Sequence, residues 1–365
     1  MSGIWGNNIQ LSIFGESHGQ GVGITINGIP AGVKLKFSSI YNELARRAPG
    51  ISELTTSRKE TDEPKFLSGI LDDMTTGAPI TVFFENKDVR SNDYKENEVY
   101  MRPGHADYTG YMKHFGFNDI RGGGHFSGRL TAGIVFAGAI CKQLLAEDKI
   151  SIGSHVKSIH NIHSNNFKES DLDLNHFKEL AKKSLPVLDD SLEKLMHETI
   201  LKAKSVGDSV GGVVECAIIG LPSGVGNPFF NSVESILSHL LFSIPAIKGV
   251  EFGSGFEIAS MHASVANDEM RYLGYDVKTT TNHNGGIVGG ITNGMPLIFR
   301  CAVKPTPSIA KTQDTVNVEN RTNTEIKING RHDPCIVLRI IPVIEAVAAI
   351  GIYDLMLERK KELNS

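Results

Sequence analysis

Along this chain of 365 residues, short stretches crowded with valine, isoleucine, phenylalanine and threonine alternate with longer stretches in which apolar and polar residues divide the faces of a helix. "GVGITINGIP", "APITVFFEN", "GGVVECAIIGLP" and "MPLIFRCAVKP" are of the first kind. Turn residues bound them, and they predict strands. "SSIYNELARRAPG" opens on serine and stops at Pro-Gly, which predicts a helix with both ends marked. "SGRLTAGIVFAGAICKQLLAED" is apolar on most faces, as a helix buried all round must be. Residues 168–204 read as a charged, amphipathic helical stretch broken near Pro186. "NSVESILSHLLFS" predicts a helix opened by Asn231 or Ser232. The last helix, from about Pro342 to Lys361, takes proline in its first turn and ends in "ERKKEL". Interleaving of this kind predicts an α/β chain of sheet layers and packed helices. No glycine- or serine-rich linker, repeat or low-complexity run interrupts it, so residues 1–365 are expected to form a single compact domain.

Composition narrows the function. Apolar residues make up 40% and charged residues 21%, a globular soluble balance. A net charge of −4 gives no basic field to recruit nucleic acid or an anionic membrane. An anionic ligand must therefore meet a local cluster of arginines. Cys141, Cys216, Cys301 and Cys335 are far apart and form no C-x-x-C pair, which excludes a zinc ribbon or redox dithiol and fits a reducing compartment. "MSGIWGNNIQ" has no basic region before an apolar run, and Leu130–Cys141 is too short an apolar run to cross a bilayer, so a cytoplasmic location is expected.

The 38 glycines cluster at 15–32, 104–133, 207–226, 249–255 and 285–294, marking tight turns or backbone brought close to a ligand. "FGESHGQG" sets Ser17 and His18 among such glycines; it reads as a site where a proton moves beside a bound group, or as a loop with an incidental histidine. "RPGHADYTGYMKH" puts His105 between Arg102 and Asp107, a set able to bind a phosphate and protonate its oxygen, or a surface turn with a capping aspartate. "RGGGHFSGR" runs through Ser127 to Arg129 into a buried helix, which makes an anion site but neither a P-loop nor a dinucleotide fingerprint. Arg46 and Arg47 close a helix, where they also suit its C-terminal dipole. "KPTPSI" sets Lys304 before a rigid turn, and "GRHDPCIVLR" sets Arg331, His332 and Asp333 before a proline. His155, His160 and His163 have no compact metal-ligand spacing and read as surface residues; no metal site is expected. Glu345 reads as the polar edge of a packed helix.

Taken in order, GESHG, RR-x-PG, RPGHAD, RGGG-x-x-S-x-R, GLPSGVG, KGVEFG, NHNGGI-x-GGI, KPTPSI and GRHDPC resemble the chorismate synthase family over roughly positions 7 to 355. The resemblance implies a β-α-β sandwich with helices packed between sheet layers, and a homotetramer. It implies a lyase of the shikimate pathway, the route to aromatic amino acids, that eliminates phosphate from 5-enolpyruvylshikimate 3-phosphate in an anti-1,4 sense to give chorismate. Reduced FMN is required without net redox change. On this reading His105 serves the leaving phosphate, His18 the reduced flavin, and Ser17 with Asp333 a proton relay. Arg46, Arg47, Arg102, Arg129 and Arg331 are the candidates for substrate anions. His125, Phe126, Ser127, Pro245, Ala246, Gly289, Lys304, Pro305, Thr306, Pro307, Ser308 and Arg331 are the candidates for the flavin. The chain departs from the commoner family form at Ala48 and Glu53, where arginines are often found, and at His125-Phe126, which replace Arg-Ser. Loss of the two arginines argues against contact with a nicotinamide nucleotide such as NADP. It points to a monofunctional enzyme supplied with reduced FMN by a separate flavin reductase. The competing readings are a flavin-dependent reductase and a non-catalytic flavin-binding module.

Overall fold

The computed structural model describes residues 3–50, 53–56, 60–87, 99–328 and 332–364. Two five-stranded sheets enclose a layer of helices. The first sheet contains β1 (Ile4–Trp5), β2 (Gln10–Gly15), β3 (Gly21–Asn27), β4 (Pro64–Ser68) and β5 (Ile80–Glu85), in the order β1-β2-β3-β5-β4. The second contains β6 (Ser151–Ile159), β7 (Ile162–His163), β8 (Gly212–Ile219), β9 (Ile247–Phe252) and β10 (Leu297–Val303), in the order β9-β10-β8-β6-β7. All pairings in both sheets are antiparallel. The longer helices are α1 (Phe37–Arg47), α2 (Asp107–Lys113), α3 (Thr131–Glu147), α4 (Leu174–Lys182), α5 (Glu193–Ser205), α6 (Val233–Ser243) and α7 (Val337–Leu363). Of these, α3 lies on β3, α6 on β9, and α7 on β6 and β8, with α3 packed along α7. The expected β-α-β sandwich is therefore the architecture found.

Strand alternation sets the layers. Val22, Ile24 and Ile26 of β3 and Ile80, Val82 and Phe84 of β5 are buried, facing the helices. Val214, Cys216 and Ile218 of β8 do the same from the other side, while its Ala217 joins a smaller apolar cluster with Phe167, Phe177 and Leu180. The central helices approach closely because glycine faces alanine at their crossing. A Cβ placed on Gly138 of α3 would lie 2.3 Å from Cβ of Ala346 on α7. Helices α3 and α7, extended to Gly128–Glu147 for the former, are each long and apolar enough to cross a membrane, with mean hydropathy 1.4 and 2.0. Both are instead buried between the sheets, α7 over 94% of its most apolar window.

Several expectations are corrected. The stretch 168–204 does break around Pro186, between α4 and α5, and Ser232 caps α6 by accepting the Ser235 amide at 3.0 Å. Helix α7, however, begins at Val337, placing Pro342 in its second turn instead of its first. His155 is not at the surface. It sits fully buried on β6, with Nε2 2.9 Å from Glu215 on the neighbouring β8. Glu345 is likewise no polar edge: at 2% exposure it accepts both terminal nitrogens of Arg46, at 2.7 and 3.0 Å, and Lys142 Nζ at 2.6 Å. Burial alone would push the Glu345 carboxyl up, but the charges of Arg46 and Lys142 hold it down.

Enlarging the α3–α7 crossing should therefore be costly. Gly138→Leu is expected to destabilise the fold by about 3 kcal/mol or more through overpacking. Gly128→Ala should leave stability nearly unchanged, because nothing lies within 4 Å of its added Cβ. Urea denaturation of both variants reads the difference, and equal midpoints would refute the packing argument.

Candidate active site

A cavity of about 660 Å³ opens where the loops after β2, α1 and α6 meet the glycine turn before α3 and the segment leading into α7. That volume is typical of a site for small organic ligands. Its centre is built by the turn at 121–124. Gly122, Gly123 and Gly124 all have positive φ, at 60, 86 and 52°. A Cβ on Gly122 would fall 1.9 Å from Nδ1 of His18, and one on Gly123 would fall 3.1 Å from Nε2 of His105. Backbone without side chains thus lies against both imidazoles. The two loops are pinned to each other: the Ser17 amide donates to the Gly124 carbonyl at 3.1 Å, and His125 Nδ1 donates to the Gly15 carbonyl at 2.9 Å.

His105 is oriented from behind. Its Nδ1 donates to Asp107 Oδ1 at 2.6 Å, and Arg102 binds the same carboxylate through Nε at 2.6 Å and Nη2 at 2.7 Å. The His105 proton on that side is therefore fixed, and Nε2 is left to the cavity. Burial works to raise the Asp107 pKa, but the hydrogen bonds and charges of Arg102 and His105 outweigh it and hold the carboxyl well below the usual range. Asp107 thus orients the histidine and, by accepting the Arg102 amide at 3.1 Å, also closes the turn.

The predicted arginines divide. Arg47, Arg102 and Arg129 line the cavity. Arg46 does not; its guanidinium is committed to Glu345 and Glu43 inside the helical layer. Arg331 lies outside the described residues. Arg47 and Arg129 share one buried carboxylate, Asp62: Arg47 Nε binds Oδ2 at 2.7 Å, and Arg129 Nη1 binds Oδ1. Burial pulls the Arg47 pKa down to about 10, opposed by Asp62 and reinforced by the charges of Arg339 and Arg129. Asp333 also faces the cavity, with Oδ1 accepting the Thr56 amide at 2.8 Å and Oδ2 accepting Arg339 Nη1 at 2.6 Å. Ser17, 1% exposed, stands behind the lining, and its hydroxyl has no hydrogen-bond partner among the described residues. The expected Ser17–Asp333 pair is therefore not joined directly.

The wall expected to meet a flavin is largely assembled. His125, Phe126, Ser127, Pro245, Ala246, Lys304, Thr306, Pro307 and Ser308 all line the cavity. Ala246 holds φ at 78°, unusual for a residue with a side chain, and its carbonyl accepts the Lys304 amide at 3.0 Å. Pro305 and Gly289 point elsewhere: both are exposed and neither lines the cavity. Two polar atoms of lining residues are buried with no partner among the described residues, Thr306 Oγ1 and His332 Nε2. Orphaned groups of this kind fit a ligand that carries its own hydrogen-bonding edge. Burial and the neighbouring Arg102 charge lower the His332 pKa, despite Asp333.

Asp62, His332 and Arg339 were missed as site residues. His332 stands in "GRHDPC" beside Asp333, and nothing in the motif's spacing gives it a role. Asp62 lies in "RKETDEP" and Arg339 in "IVLRIIP", and neither stretch carries a glycine turn or a histidine. Only their long-range partners, on α1, before α3 and at Asp333, reveal them.

Comparison with known proteins agrees over the same span. Residues 9–357 match the family model described as chorismate synthase. The chain is similar to the chorismate synthase of Chitinophaga pinensis at 47% identity, covering 97% of this chain and 96% of that one. Similarity to the chorismate synthase of Pyrococcus abyssi is 45%, covering 97% and 98%. The one from Dehalococcoides mccartyi shares 44%, covering 98% and 97%. A crystal structure of chorismate synthase superposes with a TM-score of 0.76 at 29% identity, covering 97% of this chain and 93% of that chain.

The Asp107 network should register in acid stability. A carboxyl whose folded pKa lies below its ordinary 3.8 contributes stability above that value and loses it as pH falls through the folded one. Asp107→Asn should therefore differ in stability from the parent by a constant amount between pH 5 and 7, roughly. The gap should begin to narrow below about pH 4 and go on narrowing as the pH falls toward the folded value. Urea denaturation across that range would contradict the assignment if the gap did not change with pH.

Proposed function

The chain belongs to the chorismate synthase family and is a carbon–oxygen lyase of that family, and we propose that its cavity eliminates phosphate from 5-enolpyruvylshikimate 3-phosphate by an anti-1,4 route that depends on reduced FMN. The observation that carries this reading is His105, which lines a cavity rich in guanidinium groups and is held through Nδ1 by Asp107, itself held by Arg102. The substrate brings a phosphate and two carboxylates. Arg102, Arg129 and Arg47 supply the compensating charge, bidentate where the geometry permits. His105 in its imidazolium form donates the Nε2 proton to the departing phosphate, while Asp107 stabilises the cation. His18, with the glycine turn against its ring, is placed to hold a proton at the cofactor.

The residues fit reduced FMN. The orphaned Thr306 hydroxyl and His332 Nε2 would offer hydrogen bonds, and Lys304, whose Nζ also donates to the Gly104 carbonyl, lies in the same wall as a cation for a phosphate. When bound, the flavin supplies transient electron density to the allylic system. Ala48 and Glu53 support a monofunctional enzyme that receives reduced FMN from a separate reductase. Exposed aromatic residues support assembly as a homotetramer, among them Phe117, Phe230 and Tyr275, at 93, 93 and 104% exposure. Four free, buried cysteines suit a cytoplasmic location.

The test is anaerobic: purified protein, chemically reduced FMN and 5-enolpyruvylshikimate 3-phosphate, followed by phosphate and chorismate. Both products should appear in equal amounts, and no phosphate release would end the proposal. His105→Ala should lower turnover by roughly two orders of magnitude or more. Near-normal turnover would reduce His105 to a structural residue. In air, the protein with FMN should not consume NADPH; consumption would contradict the monofunctional reading.

A further inference from the structure

Arg339 is the cavity arginine that the chemistry above leaves without a role. It projects from the first turn of α7 and binds two separate segments at once. Nη1 donates to Asp333 Oδ2 at 2.6 Å, and Nε donates to the carbonyl of Arg47 at 3.1 Å. The second oxygen of Asp333 is taken by the Thr56 amide at 2.8 Å. Both carboxylate oxygens are thereby fixed, and the guanidinium that fixes one of them is itself anchored to the end of α1. The pair is mostly withdrawn from solvent, with side-chain exposures of 20 and 11%, so it is screened less than a surface ion pair.

We propose that Arg339 is a positioning residue that aims Asp333 into the cavity and ties that aim to Arg47. The inference rests on the functional reading above together with the proton-relay role that the family resemblance implies for Asp333. The physical need is clear. A carboxylate facing a substrate with a phosphate and two carboxylates must be neutralised locally, or it repels what the cavity has to bind. One planar fork can neutralise Asp333 and hold its angle because its nitrogens are rigidly spaced. A lysine could keep the charge but could not make both bonds at fixed geometry.

A double-mutant cycle tests this in the anaerobic assay with chemically reduced FMN. Arg339→Gln should lower kcat by about 10²-fold. It should move KM by less than about threefold, as expected for misalignment and not for lost substrate binding. Arg339→Lys should recover roughly tenfold of that loss. Combining Arg339→Gln with Asp333→Asn should cost no more than Asp333→Asn alone, within about twofold, because one residue acts through the other. Multiplying losses would overturn the proposal. So would a raised KM at unchanged kcat, which would place Arg339 on the substrate. Should Arg339→Gln fail to fold, Arg339→Lys carries the same cycle. Products from the wild-type chain combined with multiplying losses defeat this inference alone; absence of products from the wild type defeats the functional reading with it.

Discussion

Three consecutive left-handed residues, Gly122, Gly123 and Gly124, are the constraint on which the site depends. Each is pressed against something a side chain would displace: the His18 ring, the His105 ring and the Asp119 carbonyl, the last 1.8 Å from a Cβ placed on Gly124. Left-handed backbone is routine only for glycine, and close approach at this distance is open only to it. The turn therefore does two things that no other residue type could do together. It closes a tight reversal ahead of α3, and it lets two imidazoles from distant parts of the chain meet the same stretch of backbone. His18 follows β2 and His105 precedes α2, so neither is positioned by the other.

Charge is organised in two tiers. Deep in the helical layer, Arg46, Lys142, Glu43 and Glu345 neutralise one another. Such a set holds α1, α3 and α7 in mutual register, and it offers nothing to a ligand because every charge is satisfied internally. At the cavity, two cations, Arg47 and Arg129, share the carboxylate Asp62, and Arg129 also lies 3.5 Å from the buried carboxylate of Glu60. Guanidinium groups gathered beside an open cavity are what a chain of net charge −4 needs in order to meet an anion. Adjacent arginines on one helix end serve these opposite purposes because successive helical side chains point about 100° apart, roughly. Arg46 turns toward α7 while Arg47 turns toward the cavity.

This division explains what the sequence made legible. The interleaved strands and helices were readable because their patterns are local, and β3, β5, β8 and β10 fall within the four stretches that announced them. The glycine motifs were readable for the same reason, since the turn chemistry is contained within a few residues. Arg46 could not be told from Arg47, because the difference lies in Glu345, about three hundred positions away. Asp62 matters only through Arg47 and Arg129, and Arg339 only through Asp333 and the Arg47 carbonyl. His155 reads as a surface residue for want of a metal-ligand spacing; its burial comes from Glu215 on the adjacent strand and from the Phe167 ring 4.5 Å away. In each case the missing information was a contact between distant segments.

The same logic gives physical content to the departures at His125 and Phe126. An arginine at 125 would carry a fixed charge; His125 instead spends Nδ1 on the Gly15 carbonyl and fastens the glycine turn to the end of β2. The Phe126 ring lies against α2, where a Cβ on Gly110 would come within 2.7 Å of it, and stands 6.2 Å from the His114 ring. Helix α2 begins at Asp107, the carboxylate that sets the proton of His105. Phe126 therefore buttresses the helix from which His105 is oriented, and His125 fastens the turn on which His18 rests. What this chain gives up in charge at position 125 it recovers, with Phe126, as rigidity around both histidines.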